Sequence, residues 1–372
     1  MDASVKLGRF LNIPIGLNKS WFLIFAFLTW SLATGYFPAT TPGSSTVTLW
    51  VMGAISSILF FGSVLAHELG HSVIALRNGI PVRSITLFIF GGVAQIEREP
   101  ESPGAEFRIA IAGPITSLIL AAMFWSVSQL GDYVPFLATP SLWLARTNFI
   151  LAIFNMIPGF PLDGGRVLRA LVWKLSDNMI LATKVASIGG QIVAFSFIGL
   201  GVFSLFSGNF SNGIWLGLIG LFLNNAAASS YSSAKVEHSL KDVTVEQVMS
   251  TGIPHISSLM SVERLVNDYV LPFNQRAFIV VENNETEGFL TVQDISEIPR
   301  RKWPFMSVRQ VMEPLDRSVE VAPGTKMFEA MKTIQQTNAH NIAVINQGQV
   351  ICTISEDDVK SYLNLTSKLS TR

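Results

Sequence analysis

The chain has 372 residues, of which 49% are apolar and only 14% are charged, with 26 basic and 26 acidic side chains. Soluble domains carry about 25% charged residues, so this composition excludes an ordinary soluble enzyme. A net charge of zero without a basic run argues against nucleic acid as a partner. The single cysteine, Cys352, excludes a disulfide framework and a metal site built from several cysteines.

The shortage of charge is confined to the first part of the chain. Residues 1–232 contain 21 charged side chains, whereas the shorter segment 233–372 contains 31. We therefore expect a membrane domain over 1–232, a linker over 233–240 that is rich in small and polar residues, and a soluble α/β part from residue 241.

Six apolar segments are long enough to cross a bilayer as helices, which takes about 20 residues. They lie near residues 20–37, 47–77, 109–130, 135–157, 182–206 and 213–230. Lys and Arg precede the first segment and occupy the loops after the second and fourth, whereas the alternate connections contain none. The positive-inside rule then predicts an integral multi-pass membrane protein with both termini and the soluble part in the cytoplasm.

A short apolar run, Ser84–Gln95, lies between the second and third segments. It is too short to cross a bilayer, is rich in β-branched and aromatic residues, and meets the pair Gly91 and Gly92. A strand at membrane depth is tolerated only when protein buries it or when it lines a wet cavity. We therefore predict a strand that packs against the helical bundle.

The second apolar segment ends in His67-Glu68-Leu-Gly-His71. Residues four apart on a helix project from one face, so both imidazoles can bind one metal ion with Glu68 beside them. The alternative is a pair of core histidines that donate to backbone carbonyls. That alternative leaves three ionisable groups at membrane depth without a function. Such groups cost free energy in a membrane, so where they occur they usually serve a function.

Two histidines do not complete a catalytic zinc site, which normally has three protein ligands. The remaining histidines all lie in the soluble part: His238, His255 and His340. Several carboxylates crowd a polar loop: Glu97, Glu99, Glu101 and Glu106. Asp163 instead lies in Asn155–Arg166, where the fourth apolar segment meets the cytoplasmic face at the depth of His71. Prolines and glycines break the helix there, so a carboxylate can approach from a turn.

These motifs resemble the site-2 protease family of intramembrane zinc metalloproteases. The resemblance rests on the histidine motif, on the stretch that contains Asp163, and on the paired glycines. It implies one Zn²⁺ per chain with Glu68 as the catalytic acid/base. The metal ligands that it implies are His67, His71 and Asp163. The residues that it implies for placing the substrate are Asn155, Pro161, Gly91 and Gly92.

The family resemblance implies an intramembrane endopeptidase that cleaves in or near the transmembrane helix of a single-span membrane protein, such as an anti-sigma factor or another signalling protein. The strand Ile85–Phe90 is expected to pair with the unwound substrate, unless it only plugs the bundle. We expect Gly113 to permit close packing or a kink. Arg166 and Arg169 are expected either to neutralise a nearby acidic group or to anchor the chain at the membrane interface, and we favour anchoring.

The soluble part repeats itself with offsets of 63 and 64 residues. The repeated pairs are Val245–Met249 with Val308–Met312, and Thr291–Asp294 with Ser355–Asp358. These motifs resemble a tandem of CBS domains over 241–302 and 303–372. The resemblance implies an adenine nucleotide held by a hydroxyl and a carboxylate in each copy, at Thr291 and Asp294 and at Ser355 and Asp358. The alternative is a purely structural or dimerising role, through which the chain would form a homodimer.

The expected fold is an α-helical polytopic membrane bundle of about six spans with a short membrane-associated β element, followed by a soluble α/β tandem CBS domain. The main rival is a membrane transporter or channel regulated by the CBS pair, which explains the spans but not the metal-binding pattern. A proteolytically inactive scaffold requires the loss of Glu68 or a ligand, and all four residues are present.

Overall fold

The computed structural model describes residues 4–89, 91–129, 135–249, 253–273, 275–283, 285–314, 319–337, 341–346 and 349–369. The contacts divide the chain into two compact units, Met1–Ser232 and Ser233–Arg372.

The first unit combines long helices with one small sheet. Its helices are α1 (Lys19–Ser31), α2 (Phe37–Thr40), α3 (Thr46–Arg77), α4 (Pro103–Ser128), α5 (Pro135–Asn155), α6 (Asp163–Ser176), α7 (Met179–Phe206) and α8 (Phe210–Leu240), with a π-helical turn at Leu32–Tyr36. Its strands are β1 (Val5–Phe10), β2 (Ile13–Leu17), β3 (Val82–Phe88) and β4 (Gly91–Ile96). Within the described residues, six helical segments are long and apolar enough to cross a membrane. They overlap the six expected segments, and the expected membrane fold is confirmed.

Two helix ends differ from the expectation. Helix α4 begins at Pro103 because the Ser102 side chain accepts a hydrogen bond from the Ala105 N–H and proline suits the first helical turn. Glu106, expected in a polar loop, is therefore in the first turn of α4 and is fully buried. Helix α8 continues to Leu240, beyond the expected end of the sixth segment, so the linker over 233–240 is helical. That segment contains no proline or glycine that would end the helix.

The sheet of the first unit has the strand order β1-β2-β3-β4, with β2 and β3 parallel and the other pairs antiparallel. The short apolar run between the second and third apolar segments is therefore a hairpin rather than a single strand. Its first strand packs on the bundle through Ile85, which is fully buried in a core with Ile13, Ala75 and Ile109. This contact places the hairpin beside the C-terminal half of α3.

The second unit contains two small sheets with short helices. The strands are β5 (His255–Ser257), β6 (Ala277–Glu282), β7 (Glu285–Thr291), β8 (Glu313–Pro314), β9 (Val319–Val321), β10 (Asn341–Asn346) and β11 (Gln349–Ser355). The helices are α9 (Val245–Val248), α10 (Val262–Leu265), α11 (Leu271–Phe273), α12 (Val292–Ser296), α13 (Met327–Thr337) and α14 (Glu356–Leu369).

The two sheets share a topology, as the internal repeat predicts. In one, β6 pairs in parallel with β5 and antiparallel with β7; in the other, β10 pairs in parallel with β9 and antiparallel with β11. The Val-Met segments are exchanged between them. Val245 and Val248 pack with the second sheet against Ile342 and Ile354, whereas Val308 packs with the first sheet. A boundary at residues 302/303 therefore does not separate the two apolar cores.

Candidate metal centre

Three side chains from two distant helices converge within the first unit. His67 and His71 project from one face of α3, and Asp163 is the first residue of α6. The Nε2 atoms of the two histidines lie 3.2 Å apart. The Oδ2 atom of Asp163 lies 3.1 Å from Nε2 of His67 and 3.2 Å from Nε2 of His71. Within the described part of the chain, these residues form the one group of three metal-ligating side chains.

Helix α4 fixes the orientation of both imidazole rings. The Nδ1 atom of His71 lies 2.7 Å from the carbonyl oxygen of Ile109. A carbonyl can only accept a hydrogen bond, so Nδ1 carries the proton and Nε2 of the neutral ring keeps its lone pair. Nδ1 of His67 lies 2.8 Å from Oγ of Ser117, a hydroxyl that can accept a hydrogen bond from the same tautomer. With both rings in that tautomer, the Nε2 lone pairs face Asp163.

The space between these donor atoms fits a zinc ion. Ligand atoms at about 2.0–2.1 Å from a tetrahedral ion are about 3.3 Å from one another, close to the separations observed here. Gly113 of α4 adjoins the two histidines, and a Cβ atom there would lie 2.6 Å from Nε2 of His67 and would also meet Nε2 of His71. Glycine therefore leaves room for an ion and for a fourth ligand.

The loop before Asp163 is held by close backbone contacts between glycines. A Cβ atom on Gly164 would meet the carbonyls of Met156 and Ile157, and one on Gly190 of α7 would meet the carbonyl of Phe160. These contacts explain why α6 can begin directly after the loop. A cation held between these donor atoms would favour the ionised form of the Asp163 carboxyl, which is the form that binds a metal.

Glu68 lies next to the two histidines on α3 and faces β4. Its carboxylate lies near the backbone N–H of Ala94. A Cβ atom on Gly92 would lie 2.6 Å from Cγ of Glu68, so glycine is needed to admit this side chain. Gly91, with φ of 132°, occupies a backbone conformation that favours glycine. The paired glycines thus place an ionisable group beside the three ligands.

The sequence profile of Peptidase family M50 matches residues 55–139 and 134–200, and that of the CBS domain matches residues 308–365. Over 358 residues the chain is 36% identical to sll0528 of Synechocystis sp., a protein named as a candidate zinc metalloprotease, and the match covers 94% of this chain and 93% of that protein. It is 30% identical to the zinc metalloprotease MJ0392 of Methanocaldococcus jannaschii over 369 residues, or 98% of this chain and 97% of that protein. The chain belongs to Peptidase family M50. A solved site-2 protease from M. jannaschii is 31% identical, with a TM-score of 0.42 over 61% of this chain and 94% of that chain.

Membership in family M50 confirms the resemblance that the sequence motifs suggested. The chain is a metalloprotease with a second unit that contains a CBS domain, and six of the described helical segments of its first unit are long and apolar enough to cross a membrane. Its relatives are zinc metalloproteases by name, and the His-His-Asp group suits that ion. The transporter or channel alternative is therefore set aside.

The residues expected to place the substrate border the same loop and hairpin. Asn155 is the last residue of α5 and is half-buried, and Pro161 is exposed in the loop that leads to Asp163. Gly91 and Gly92 begin β4. Their roles in substrate placement stay predictions.

The sequence reasoning missed the residues that support the ligands. Ile109 and Ser117 were not singled out because each bonds to its histidine only through tertiary contact. The close-packing expectation for Gly113 agrees with its position against the imidazoles. Of the two roles expected for Arg169, the structure favours neutralisation of an acid over the preferred interface anchoring, because the guanidinium is buried and paired with the carboxylate of Glu106.

In the CBS part, Thr291 and Asp294 bond to each other. The Oδ2 atom of Asp294 accepts hydrogen bonds from the Thr291 N–H at 2.8 Å and from its hydroxyl at 2.7 Å. The pair therefore forms a capping box at the start of α12. In the second copy, Asp358 lies in α14, and the Ser355 side chain lies outside the described residues.

The three other histidines belong to the second unit or lie outside the description. His238 is near the end of α8, and His255 begins β5. His340 lies outside the described residues. His238 and His255 do not belong to the group of ligating atoms in the first unit.

Proposed function

We propose that this chain is an intramembrane endopeptidase that hydrolyses a peptide bond in or near the transmembrane helix of a membrane-anchored protein. The observation that carries the proposal is the convergence of two imidazoles and one carboxylate in a buried site between apolar helices, with a second carboxylate beside them. In this proposal His67, His71 and Asp163 hold zinc, and Glu68 is the catalytic acid/base.

The residues divide the chemistry between them. Zinc, when bound, supplies a Lewis acid that polarises the scissile carbonyl and acidifies water. Glu68 accepts a proton from the attacking water and later delivers it to the nitrogen of the leaving amine, so the peptide C–N bond breaks without a free anion. Ser117 and the Ile109 carbonyl hold the two imidazoles in the tautomer that presents Nε2.

A helical substrate must unwind before cleavage because its carbonyls are hidden in i→i−4 hydrogen bonds. The expected pairing with Ile85–Phe90 is wrong for the described strand β3, because both of its edges are already paired, with β2 and with β4. We instead place the extended substrate along the outer edge of β4, next to Gly92 and Glu68. Edge pairing would replace the backbone hydrogen bonds that the substrate loses.

The proposed substrate class and membrane orientation follow from the chemistry of the site and the charge of the loops. The substrate class is a single-span membrane protein, such as an anti-sigma factor or another signalling protein, cleaved in regulated intramembrane proteolysis. The distribution of Lys and Arg supports an orientation with both termini, the CBS part and the active site toward the cytoplasm. Substrate positioning is assigned to Asn155, Pro161, Gly91 and Gly92.

The CBS pair, over 241–302 and 303–372 with exchanged Val-Met segments, is proposed as a regulator that binds an adenine nucleotide. The matching topology of its two sheets supports two copies of one domain. Binding through Thr291 and Asp294 requires the carboxylate to exchange its capping hydrogen bonds for a ribose hydroxyl. The equivalent second site uses Ser355 and Asp358.

Elemental analysis of the detergent-purified full-length protein tests the metal site. We expect about one zinc per chain in the wild type and a large loss in His67→Ala and in Asp163→Ala. A folded wild type that stays metal-free after incubation with zinc would overturn the proposal.

Nucleotide regulation needs a separate test on the full-length chain. Cleavage of a single-span substrate is measured with and without AMP, ADP and ATP, and nucleotide binding is measured by calorimetry. We expect at least one nucleotide to bind and to change the cleavage rate. Both the binding and the rate change should be lost in the Asp294→Ala/Asp358→Ala variant. If no nucleotide binds and the chain is a dimer that the CBS part stabilises, the pair is a dimerising module instead.

A further inference from the structure

A buried ion pair joins α4 to α6 beside the candidate metal centre. Arg169 of α6 is 5% exposed and Glu106 of α4 is fully buried. The Nε atom of Arg169 donates to Oε1 of Glu106 at 2.6 Å, and its Nη2 also contacts that oxygen. The Nη1 atom donates to Oε1 of Glu99 at 3.3 Å. The guanidinium thus binds two carboxylates that lie between His71 and Asp163 in the chain.

Such a pair is poorly explained by stability alone. Removing two charges from water costs about as much free energy as their attraction returns, so an apolar pair of similar volume often serves the fold as well. Here the carboxylate Oε2 of Glu106 has no hydrogen-bond partner among the described residues, which adds to the cost. The ion pair does constrain geometry, however. Hydrogen bonds from the planar guanidinium are directional, so they fix the position of the helix that carries Arg169.

The helix that Arg169 belongs to begins with Asp163. Arg169 lies six positions after Asp163, so less than two turns of helix join these two residues. The guanidinium carbon of Arg169 also lies 5.4 Å from the centre of the Phe160 ring, within reach of a cation–π contact. Arg169 therefore contacts the loop before Asp163 and directs the helix after it.

The partner helix is the one that orients both histidines. Glu106, Ile109, Gly113 and Ser117 are spaced by three, four and four residues, so they share one face of α4. Ile109 and Ser117 bond to the imidazoles, and Gly113 leaves space between them. One face of α4 thus touches both histidines directly and reaches the third candidate ligand through Arg169.

We propose that Glu106 and Arg169 are positioning residues that set the height of Asp163 relative to His67 and His71. The inference rests on the proposed zinc site and adds to it the device that joins the third ligand to the other two. If the pair served only to hold the fold together, the metal geometry of any folded variant would be unchanged.

The test compares variants of the detergent-purified full-length protein. Arg169→Met removes the charge and hydrogen bonds but keeps much of the volume, and Arg169→Lys keeps the charge without the planar fork. The double variant Glu106→Leu/Arg169→Met removes both charges, so it leaves no unpaired buried charge that would prevent folding. Zinc affinity is measured by chelator competition, and the visible absorption spectrum of the Co²⁺-loaded protein reports the ligand geometry.

We expect Arg169→Met and the double variant to lower zinc affinity about 10- to 100-fold and to alter the Co²⁺ spectrum, with Arg169→Lys intermediate. The matched control is Arg108→Ala, which removes an exposed hydrogen bond from α4 to Asn78 and should leave both readouts unchanged. A folded double variant with wild-type zinc affinity and Co²⁺ spectrum would overturn the positioning role.

Asp163→Ala separates this inference from the site on which it rests. If Asp163→Ala loses zinc while the Arg169 variants bind it normally, only the positioning role fails. If Asp163→Ala binds zinc as tightly as the wild type, the metal-site proposal itself fails, and the positioning role fails with it.

Discussion

The metal centre and the Thr291–Asp294 motif put similar polar groups to different uses. At the metal centre, Asp163 meets histidines 96 and 92 residues earlier in the chain, and the donor atoms face one another. In the CBS part, Asp294 bonds to the residue three positions before it and caps a helix. The Thr291–Asp294 pair fulfils its own hydrogen bonds and caps its helix. The facing donor atoms of the metal centre instead leave a space between them that suits a metal ion.

Among the variants that distinguish the metal centre from the Thr291–Asp294 motif, we expect a substitution of Glu68 to have the largest effect, on the rate of cleavage. Glu68→Gln should lower cleavage of a single-span substrate about 100- to 10,000-fold, because the amide cannot accept the proton. Zinc content should stay at the wild-type level, since the three ligands remain. The exposed loop variant Glu101→Gln is the control and should cleave normally. Retained cleavage by Glu68→Gln would show that another group acts as the base.

Removing one ring-orienting contact should give a smaller effect. Ser117→Ala deletes the 2.8 Å contact to Nδ1 of His67, so we expect zinc affinity to fall about 10- to 100-fold in chelator competition. Ser126→Ala on the same helix removes only an exposed hydrogen bond to the Ala122 carbonyl. Equal zinc affinities in these two variants would mean that α3 alone orients the ring.

The backbone contact between α7 and the loop before Asp163 offers a steric test. Gly190→Ala places a methyl group against the Phe160 carbonyl, so we expect a loss of about 1–3 kcal/mol in stability, seen as a lower midpoint of thermal unfolding. Gly199→Ala on the same helix adds its methyl group in open space. If both variants unfold at the same temperature, the loop does not depend on this close approach.

The smallest effect is expected in the CBS part. Asp294→Ala should weaken the capping box by about 1 kcal/mol, so hydrogen exchange of the α12 amides should accelerate about fivefold. Asp294→Asn keeps an acceptor oxygen and should exchange at nearly the wild-type rate. Unchanged exchange in Asp294→Ala would remove the capping role and leave Asp294 free for a ligand.

Much of the fold could be predicted because apolar length and glycine placement are local properties. The six spans followed from segments of about 20 apolar residues, and the start of α4 moved to Pro103 because Ser102 caps that helix. Composition alone could not show that the linker over 233–240 is helical. The expected substrate pairing with Ile85–Phe90 failed because β3 is paired on both edges, and its pairing with β2 joins segments about 70 residues apart.

At the metal centre, the sequence by itself determined which side chains could bind zinc. The spacing of His67 and His71 on one helix needs no tertiary information. Only the tertiary structure decided what orients those side chains, because the Ile109 carbonyl, Ser117 and the Glu106–Arg169 pair act across helices. A serine or a backbone carbonyl leaves no pattern in the sequence, since its role depends on the partner that packing brings within about 3 Å.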